Sequence, residues 1–366
     1  MTATILSIET EVPSTFLSQE QFAEIASKHL NLLTPQARFL ARIAKNSQIN
    51  HRHTIIEDFF ESGLRGSVFC YGEDNPKTAI RNEIFKKYAP LLAESVCDKA
   101  LKQWGGDRQD ITHVISVSCT GMIAPGIEFL LIDLLGLPQH VERLGINFMG
   151  CFGAFKGLAI AKALAMENPK HRILLVCTEL CSLHFQSDIN KDTLIANSIF
   201  ADGAAAVVVG SSPNITETPL LEIHKQASMA IKDTKDLMTW ECGDSGYLMR
   251  LSALVPSKIE MNVAPFISRL IGKENSFESY TWAVHPGGKS ILEAVTRACN
   301  LEPEQLKPSW KILESYGNMS SPTFLFVLKE ILKKSKAKEE IIGLGIGPGL
   351  SVEGILLKHP DSYVAK

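Results

Sequence analysis

The chain has 366 residues, 45% of them hydrophobic and 21% charged, with a formal net charge of −3. That balance belongs to a folded globular protein of about two or three domains with an ample core, and it excludes a disordered or low-complexity chain. With no basic excess, nucleic acid and anionic membranes are not expected partners, so an anionic ligand has to be met by a local basic cluster.

Eight cysteines, at positions 70, 97, 119, 151, 177, 181, 242 and 299, sit mostly inside apolar runs, and the N-terminus carries neither a charged leader nor a long apolar stretch. A cytoplasmic location with reduced thiols is therefore expected. Cys177 and Cys181 are separated by three residues and have no companion pair, so no zinc site is expected, and no other metal or cofactor either. No apolar run approaches the roughly 18 residues of a membrane span.

Residues 3–9 read as a first strand, and a helix follows over 18–30. Arg38, Arg42 and Lys45 share the next helical stretch, which leads into His51-Arg52-His53. Such a stretch is either a solvated helix face or a clamp for a pyrophosphate, which needs cations gathered in space. Residues 58–77, with Gly63, Gly66, Gly72 and Pro76, read as an irregular loop. Helical spacing over 88–104 leads to a buried strand at 113–121 and a helix at 127–135. Residues 144–159 then read as strand, tight turn and helix, with Cys151 at the helix N-terminus. Free backbone N–H groups and the helix dipole favour an anion there, so a lowered thiol pKa is expected; a small buried cysteine is the alternative.

Buried strands at 173–178 and 204–210 follow. Residues 211–219 are polar and bracketed by prolines, which places a division between an N-terminal half, 1–212, and a C-terminal half, 213–366. Beyond it the order of elements repeats. A strand at 219–231 corresponds to 3–9, and 280–288 to 113–121. The segment 315–322 with its helix corresponds to the Cys151 segment, 341–345 to 173–177, and 351–357 to 204–209. Two copies of one α/β unit are predicted, with helices sandwiching mostly parallel sheets. Corresponding turns then face each other, and Cys151, His285 and Asn318 are expected to converge from three of them.

A cysteine at a helix start, a histidine before Pro-Gly-Gly and an asparagine in Tyr-Gly-Asn-Met-Ser-Ser suit thioester chemistry. Cys151 as a thiolate, paired with the His285 imidazolium, attacks an acyl thioester. His285 and Asn318 donate to the carbonyl oxygen of a second thioester; for a malonyl thioester, loss of carbon dioxide leaves an enolate that two preset donors stabilise. Taken singly, His285 also reads as a capped core histidine and Asn318 as a helix N-cap. The run Gly343-Leu-Gly-Ile-Gly-Pro-Gly349 lacks a following Lys-Ser/Thr and leads into a strand, so it reads as a close-approach wall for a cavity rather than a phosphate loop.

Five motifs carry a family resemblance: Gly-Cys-Phe around Cys151, Phe-x-Asp-Gly-Ala-Ala-Ala from Phe200, His-Pro-Gly-Gly from His285, Tyr-Gly-Asn-Met-Ser-Ser from Tyr316 and Gly-x-Gly-Pro-Gly-Leu from Gly345. Over nearly its whole length the chain resembles the type III polyketide synthases, which include the plant chalcone and stilbene synthases. The resemblance implies a thiolase-like α/β fold, with two duplicated halves in an αβαβα layered sandwich. It implies Cys151 as acyl acceptor, His285 and Asn318 as the decarboxylation and condensation pair, and Phe200 as gatekeeper between a coenzyme A tunnel and the cavity. Cavity positions fall on Cys119, Cys181, His184, Gly246, Met249 and Ser320.

Departures from the plant pattern, notably Met249 for a second gatekeeping phenylalanine and His184 for a small hydroxyl residue, imply a bacterial-type member without chalcone-type specificity. Of three basic coenzyme A contacts only Arg42 is in register. The other two positions hold Phe39 and Asn46, with Arg38 and Lys45 one residue away. A methionine that crosses the family's dimer interface corresponds to Ala124. The resemblance implies an iterative homodimeric acyltransferase that condenses malonyl-CoA onto an acyl-CoA starter and then cyclises or releases the product. The competing readings are a single-round ketoacyl synthase III-like enzyme using an acyl carrier protein, and a non-catalytic acyl-CoA-binding homologue.

Overall fold

The computed structural model describes residues 2–56, 76–211, 217–334 and 339–360. The division placed at 212/213, Cys70 and nearly all of the 58–77 loop lie outside the described residues.

Strand β1 (Ala3–Glu11) is followed across the sheet by β7 (Asp202–Ser211), β6 (Arg172–Leu180), β4 (His113–Ser118) and β5 (Glu142–Asn147). A second run leaves β1 on its other side through β8 (Leu221–Ala230), β13 (Ser351–Lys358), β12 (Glu340–Gly347) and β11 (Thr281–Val284). In both runs the first two pairings are antiparallel and the third parallel. The runs meet where β1 pairs with β8 through only Thr4↔Glu222 and Ile5↔Leu221. Strand β5, parallel to β4, has no counterpart in the second run among the described residues.

The sheet is therefore mixed, and most of its neighbouring strands are antiparallel, which corrects the expectation of mostly parallel sheets. The error has a physical cause. Burial on both faces gives a continuous apolar run whatever the strand direction, and β7 is buried along its whole length yet antiparallel to both neighbours.

Helices fill three layers. Outside the first run lie α1 (Gln19–His29), α2 (Thr34–Asn46), α3 (Thr78–Trp104) and α4 (Ile127–Leu135), packed in one apolar cluster. The predicted start of α3 at 88 is too late, because the charged, exposed face of residues 79–87 hides the periodicity. Between the runs lie α5 (Gly153–Glu167) and α10 (Thr323–Leu332), in a cluster to which strands of both halves contribute. Outside the second run lie α7 (Val255–Ile271) and α8 (Lys289–Cys299). A hairpin of β9 (Met238–Gly243) and β10 (Gly246–Leu251), the short pair β2 (Phe16–Ser18) and β3 (His51–His53), and helices α6 (Lys191–Ile199) and α9 (Lys307–Tyr316) complete the described chain. Among the described residues, no helix is long and apolar enough to cross a membrane.

The glycine run on β12 serves helix packing, which corrects its reading as a cavity wall. A Cβ on Gly345 would sit 2.4 Å from the Phe155 ring, and one on Gly343 would sit 2.3 Å from Ile355 Cγ2 and 2.8 Å from the Phe324 ring. The bare backbone admits the two rings, whose centroids are 4.1 Å apart. Alternation then turns Ile346 to the opposite face, where it lines a cavity. Replacing Gly345 by alanine is expected to cost about 1–3 kcal/mol through overpacking, read as a lowered thermal midpoint. An unchanged midpoint would show that Phe155 has room to move aside.

Candidate active site

Strand β5 ends at Asn147, and the chain turns through Phe148 at φ +57° and Gly150 at φ +66°. A Cβ on Gly150 would lie 2.7 Å from Pro348, so only glycine fits this turn. One 3-10 turn, Gly150–Phe152, carries Cys151 and feeds directly into α5. The predicted strand, turn and helix are thus in place, with the thiol just ahead of the helix.

Asn318 follows Gly317, which has φ +69°, and lies five residues before α10 rather than capping it. Its backbone is bridged to the end of α6: Asn318 N–H donates to Ile199 O, and Ala201 N–H donates to Asn318 O, both at 2.9 Å. The Ser320 N–H donates to Asn318 Oδ1 at 2.8 Å, which fixes the amide and turns Nδ2 toward Cys151 Sγ at 3.8 Å and Gly287 O at 3.2 Å. Ser320 has φ +60°, and its hydroxyl lies 3.3 Å from Cys119 Sγ and also bonds the Cys151 thiol.

His285 leaves the end of β11, held by its N–H donating to Leu344 O at 2.8 Å. It is buried, and both ring nitrogens lack a partner among the described residues.

Burial works against the expected thiolate and imidazolium pair. Burial pushes the Cys151 thiol up to about 11, although Ser320 and Asn318 pull it down. Burial also pushes the His285 imidazole down to about 3. Desolvation thus favours the neutral form of each group and opposes the pull of the helix end.

Close by, Glu179 on β6 is fully buried and accepts five bonds. Its Oε2 takes Ser118 Oγ, Cys119 N–H and Thr120 Oγ1 at 3.2, 2.9 and 2.8 Å. Its Oε1 takes Cys119 Sγ at 3.3 Å and Ser321 Oγ at 2.6 Å. Burial raises its carboxyl pKa despite these donors. The group ties the end of β4 to the segment before α10.

Cys151, Asn318, Gly287 and Gly288 line a cavity of about 400 Å³ that also holds Arg42, Asn46, Lys191 and Lys289. A second cavity of about 370 Å³ is lined by Cys181, His184, Trp240 and Tyr247. Phe200, Met249 and Asp192 line both.

Other expected residues fall elsewhere. Arg38 and Lys45 are exposed on α2 and line neither cavity. Gly246, at φ +98°, faces Arg81, which a Cβ would meet at 2.9 Å, and lies outside both linings. Cys119 and Ser320 lie on neither lining and instead join the Glu179 and Cys151 network. Arg52 is no pyrophosphate clamp: it is buried, with its guanidinium 4.0 Å from the Phe22 ring centroid.

His184 is held as a neutral ring. Tyr247 N–H donates to its Nδ1 at 3.0 Å, so Nε2 carries the proton and donates to Thr120 O at 2.8 Å. Burial pushes its pKa down to about 3, and the ring stacks on Tyr247 at 4.1 Å. Sequence reasoning missed Trp240, Tyr247, Glu179, Lys191 and Lys289. For Lys289 a signal was present, since a lysine directly after the Gly-Gly pair sits at the start of α8, where the dipole disfavours a cation that has no anionic ligand to meet.

The family profile of chalcone and stilbene synthases matches the chain with its N-terminal domain over residues 1–213 and its C-terminal domain over residues 222–360. "Probable polyketide synthase 1" of Dictyostelium discoideum is 37% identical over 97% of this chain, which spans 11% of that protein's length. "Type III polyketide synthase C" of Arabidopsis thaliana is 31% identical, covering 98% of this chain and 95% of its own. Among solved structures, the C-terminal type III polyketide synthase domain of Steely1 from Dictyostelium superposes with a TM-score of 0.91 at 35% identity, covering 98% of this chain and 99% of that one. PKS-I of the brown alga Ectocarpus siliculosus gives 0.89 at 31% identity, covering 98% of each chain. These relatives are eukaryotic and lend no weight to the bacterial-type expectation. With both halves matched, the layered fold shared and Cys151 and Asn318 meeting at one cavity, the chain belongs to the chalcone and stilbene synthase family of type III polyketide synthases.

Proposed function

We propose that the chain extends an acyl-CoA starter by repeated decarboxylative condensation with malonyl-CoA and then cyclises or releases the product. The observation that carries this reading is the Asn318 amide, fixed between the Cys151 sulfur and the Gly287 carbonyl of the His285 loop.

In the first step Cys151 attacks the starter's thioester carbonyl, its proton passing to neutral His285, and coenzyme A leaves as the thiol. Malonyl-CoA then loses carbon dioxide, and the electron pair left behind becomes an enolate whose oxygen is held by donors from His285 and Asn318. The enolate carbon attacks the acyl-Cys151 carbonyl, giving a chain two carbons longer on coenzyme A and expelling the Cys151 thiolate, which takes up one proton from solvent to return as the thiol. Reloading repeats the cycle. Coenzyme A thioesters are the only small molecules this scheme needs, and it uses no metal or cofactor. Arg42, Lys191 and Lys289 supply positive charge for the coenzyme A phosphates, with Phe200 and Met249 gating the passage of the growing chain. A cytoplasmic setting belongs to the proposal, since the seven described cysteines are free thiols.

The purified protein is expected to form extended products from malonyl-CoA and a panel of acyl-CoA starters. Turnover only with malonyl carrier protein would overturn this in favour of the single-round reading, for which the same basic residues would serve as a docking site. Changing Cys151 to alanine is expected to abolish condensation while part of the malonyl-CoA decarboxylation survives; loss of His285 or Asn318 is expected to remove both, by about 10²–10³-fold in kcat.

A neutral resting thiol has its own signature. Alkylation of Cys151 by iodoacetamide is expected to accelerate about ten-fold per pH unit between about pH 6 and 9, because the thiolate fraction grows below a raised pKa. A rate flat over that range would restore the ion pair.

We also propose a homodimer. Strand β5 is the sheet edge and leaves Leu144 41% exposed, with Phe129 at 45% on the adjoining α4 and Met149 at 38% just beyond. An unpaired edge carrying apolar side chains favours association. Sedimentation is expected to show a dimer, and Leu144→Arg to shift it toward monomer; a monomeric wild type would refute the assignment.

A further inference from the structure

Arg52, on the short strand β3, is buried, yet its polar partners belong largely to one short segment. Its Nη1 donates to Asn197 O at 2.9 Å and Phe200 O at 2.6 Å, and its Nε to Gln19 Oε1 at 2.8 Å. Gln19 in turn donates from Nε2 to Ser198 O at 2.7 Å. The last turn of α6 and the residue after it are thus held through three carbonyls. Asp202 lies near enough to favour the charge.

The same segment is bonded on its other side to the Asn318 backbone, through Ile199 O and Ala201 N–H. The stem of Arg52 also reaches the residue before Asn318: a Cβ on Gly317 would lie 3.0 Å from Arg52 Cγ and 2.9 Å from Ile199 O. Burying a guanidinium is costly, and among the described residues no carboxylate accepts a hydrogen bond from it, so its retention calls for a reason beyond stability. Among the described residues Arg52 lines the second cavity and not the cavity of Cys151, which argues against contact with coenzyme A phosphates.

We infer that Arg52 is a positioning residue, which holds the end of α6 so that Phe200 stays at the gate and Asn318 keeps its amide on the reacting thioester. This rests on the role proposed above for Asn318. The inference separates two halves of the chemistry. Cys151 is carried by the β5 turn and α5, which Arg52 does not touch, whereas Asn318 and Phe200 both depend on it.

The test uses Arg52→Lys, which keeps the charge but loses the planar fork, and Arg52→Met, which removes the donors, with folding checked by thermal melting. In the folded variants, kcat for malonyl-CoA decarboxylation is expected to fall about ten-fold or more, as a misplaced catalytic group allows, while KM changes less than about two-fold. The iodoacetamide rate at Cys151 is expected to match that of the wild type, and the product lengths to shift as Phe200 moves. A purely structural role would not produce that split. Wild-type kcat and product lengths in a folded variant would overturn the inference, as would an equal loss of Cys151 reactivity. If neither variant folds, Arg52 is a structural residue and the inference falls. A wild type that neither decarboxylates nor condenses would instead refute the functional reading, and this inference with it.

Discussion

The rings of Phe155 and Phe324 meet 4.1 Å apart between the two halves, each resting where a side chain on β12 would otherwise project. Helix α10 and the buried face of α5 pack between the strands of both halves. Protein interiors are packed like organic crystals and transmit small displacements. Cys151 stands just before one of these helices and Asn318 shortly before the other. The distance between a sulfur and an amide is therefore set by how closely two phenylalanines approach bare backbone.

Burial governs the chemistry as firmly as the packing. A helix end attracts an anion by a modest amount, whereas removing a thiolate from water costs far more. Burial accordingly favours the neutral forms of Cys151 and His285, and the surrounding donors are already oriented. Asn318 is fixed by Ser320, and the neighbouring serines, threonine and Cys119 converge on the Glu179 carboxylate. Preorganised donors of this kind have no reorganisation left to undergo when charge develops.

The motifs marked Cys151, His285 and Asn318 in the chain, and the structure brings Cys151 and Asn318 to one cavity. Cys151, His285 and Asn318 could be picked out because turns, strand ends and a repeated order of elements leave local marks in sequence. The repeat is visible in the matching order β1-β7-β6-β4 and β8-β13-β12-β11. Strand direction was not legible, since β7 looks the same to a hydrophobicity pattern whichever way it runs. Nor was the direction of the Cys151 shift, which depends on how completely distant segments exclude water. Gly246 was placed at the cavity because its identity could be read but not the Arg81 side chain that occupies its free face. Lys191 went unnoticed because a single lysine carries no pattern; only the fold gathers it with Lys289 and Arg42 around one opening. The burial of Arg52 was equally hidden, as its neighbours in sequence are polar while its hydrogen-bond partners in space are mostly backbone carbonyls.

The ring of His184 has a consequence for the far chamber. Both nitrogens are already committed, one to Thr120 O and the other to the Tyr247 N–H, and protonation is suppressed until strongly acidic conditions. A residue that looks like a polar fixture therefore offers an incoming chain no hydrogen bond from either nitrogen. With Tyr247 stacked on one side and Trp240 edge-on at 5.5 Å, it behaves as one panel of an aromatic wall. On the proposed function, carbonyl-rich intermediates that meet this panel would be sorted by fit and stacking rather than by exchange of protons, which makes contour the property of the wall open to selection.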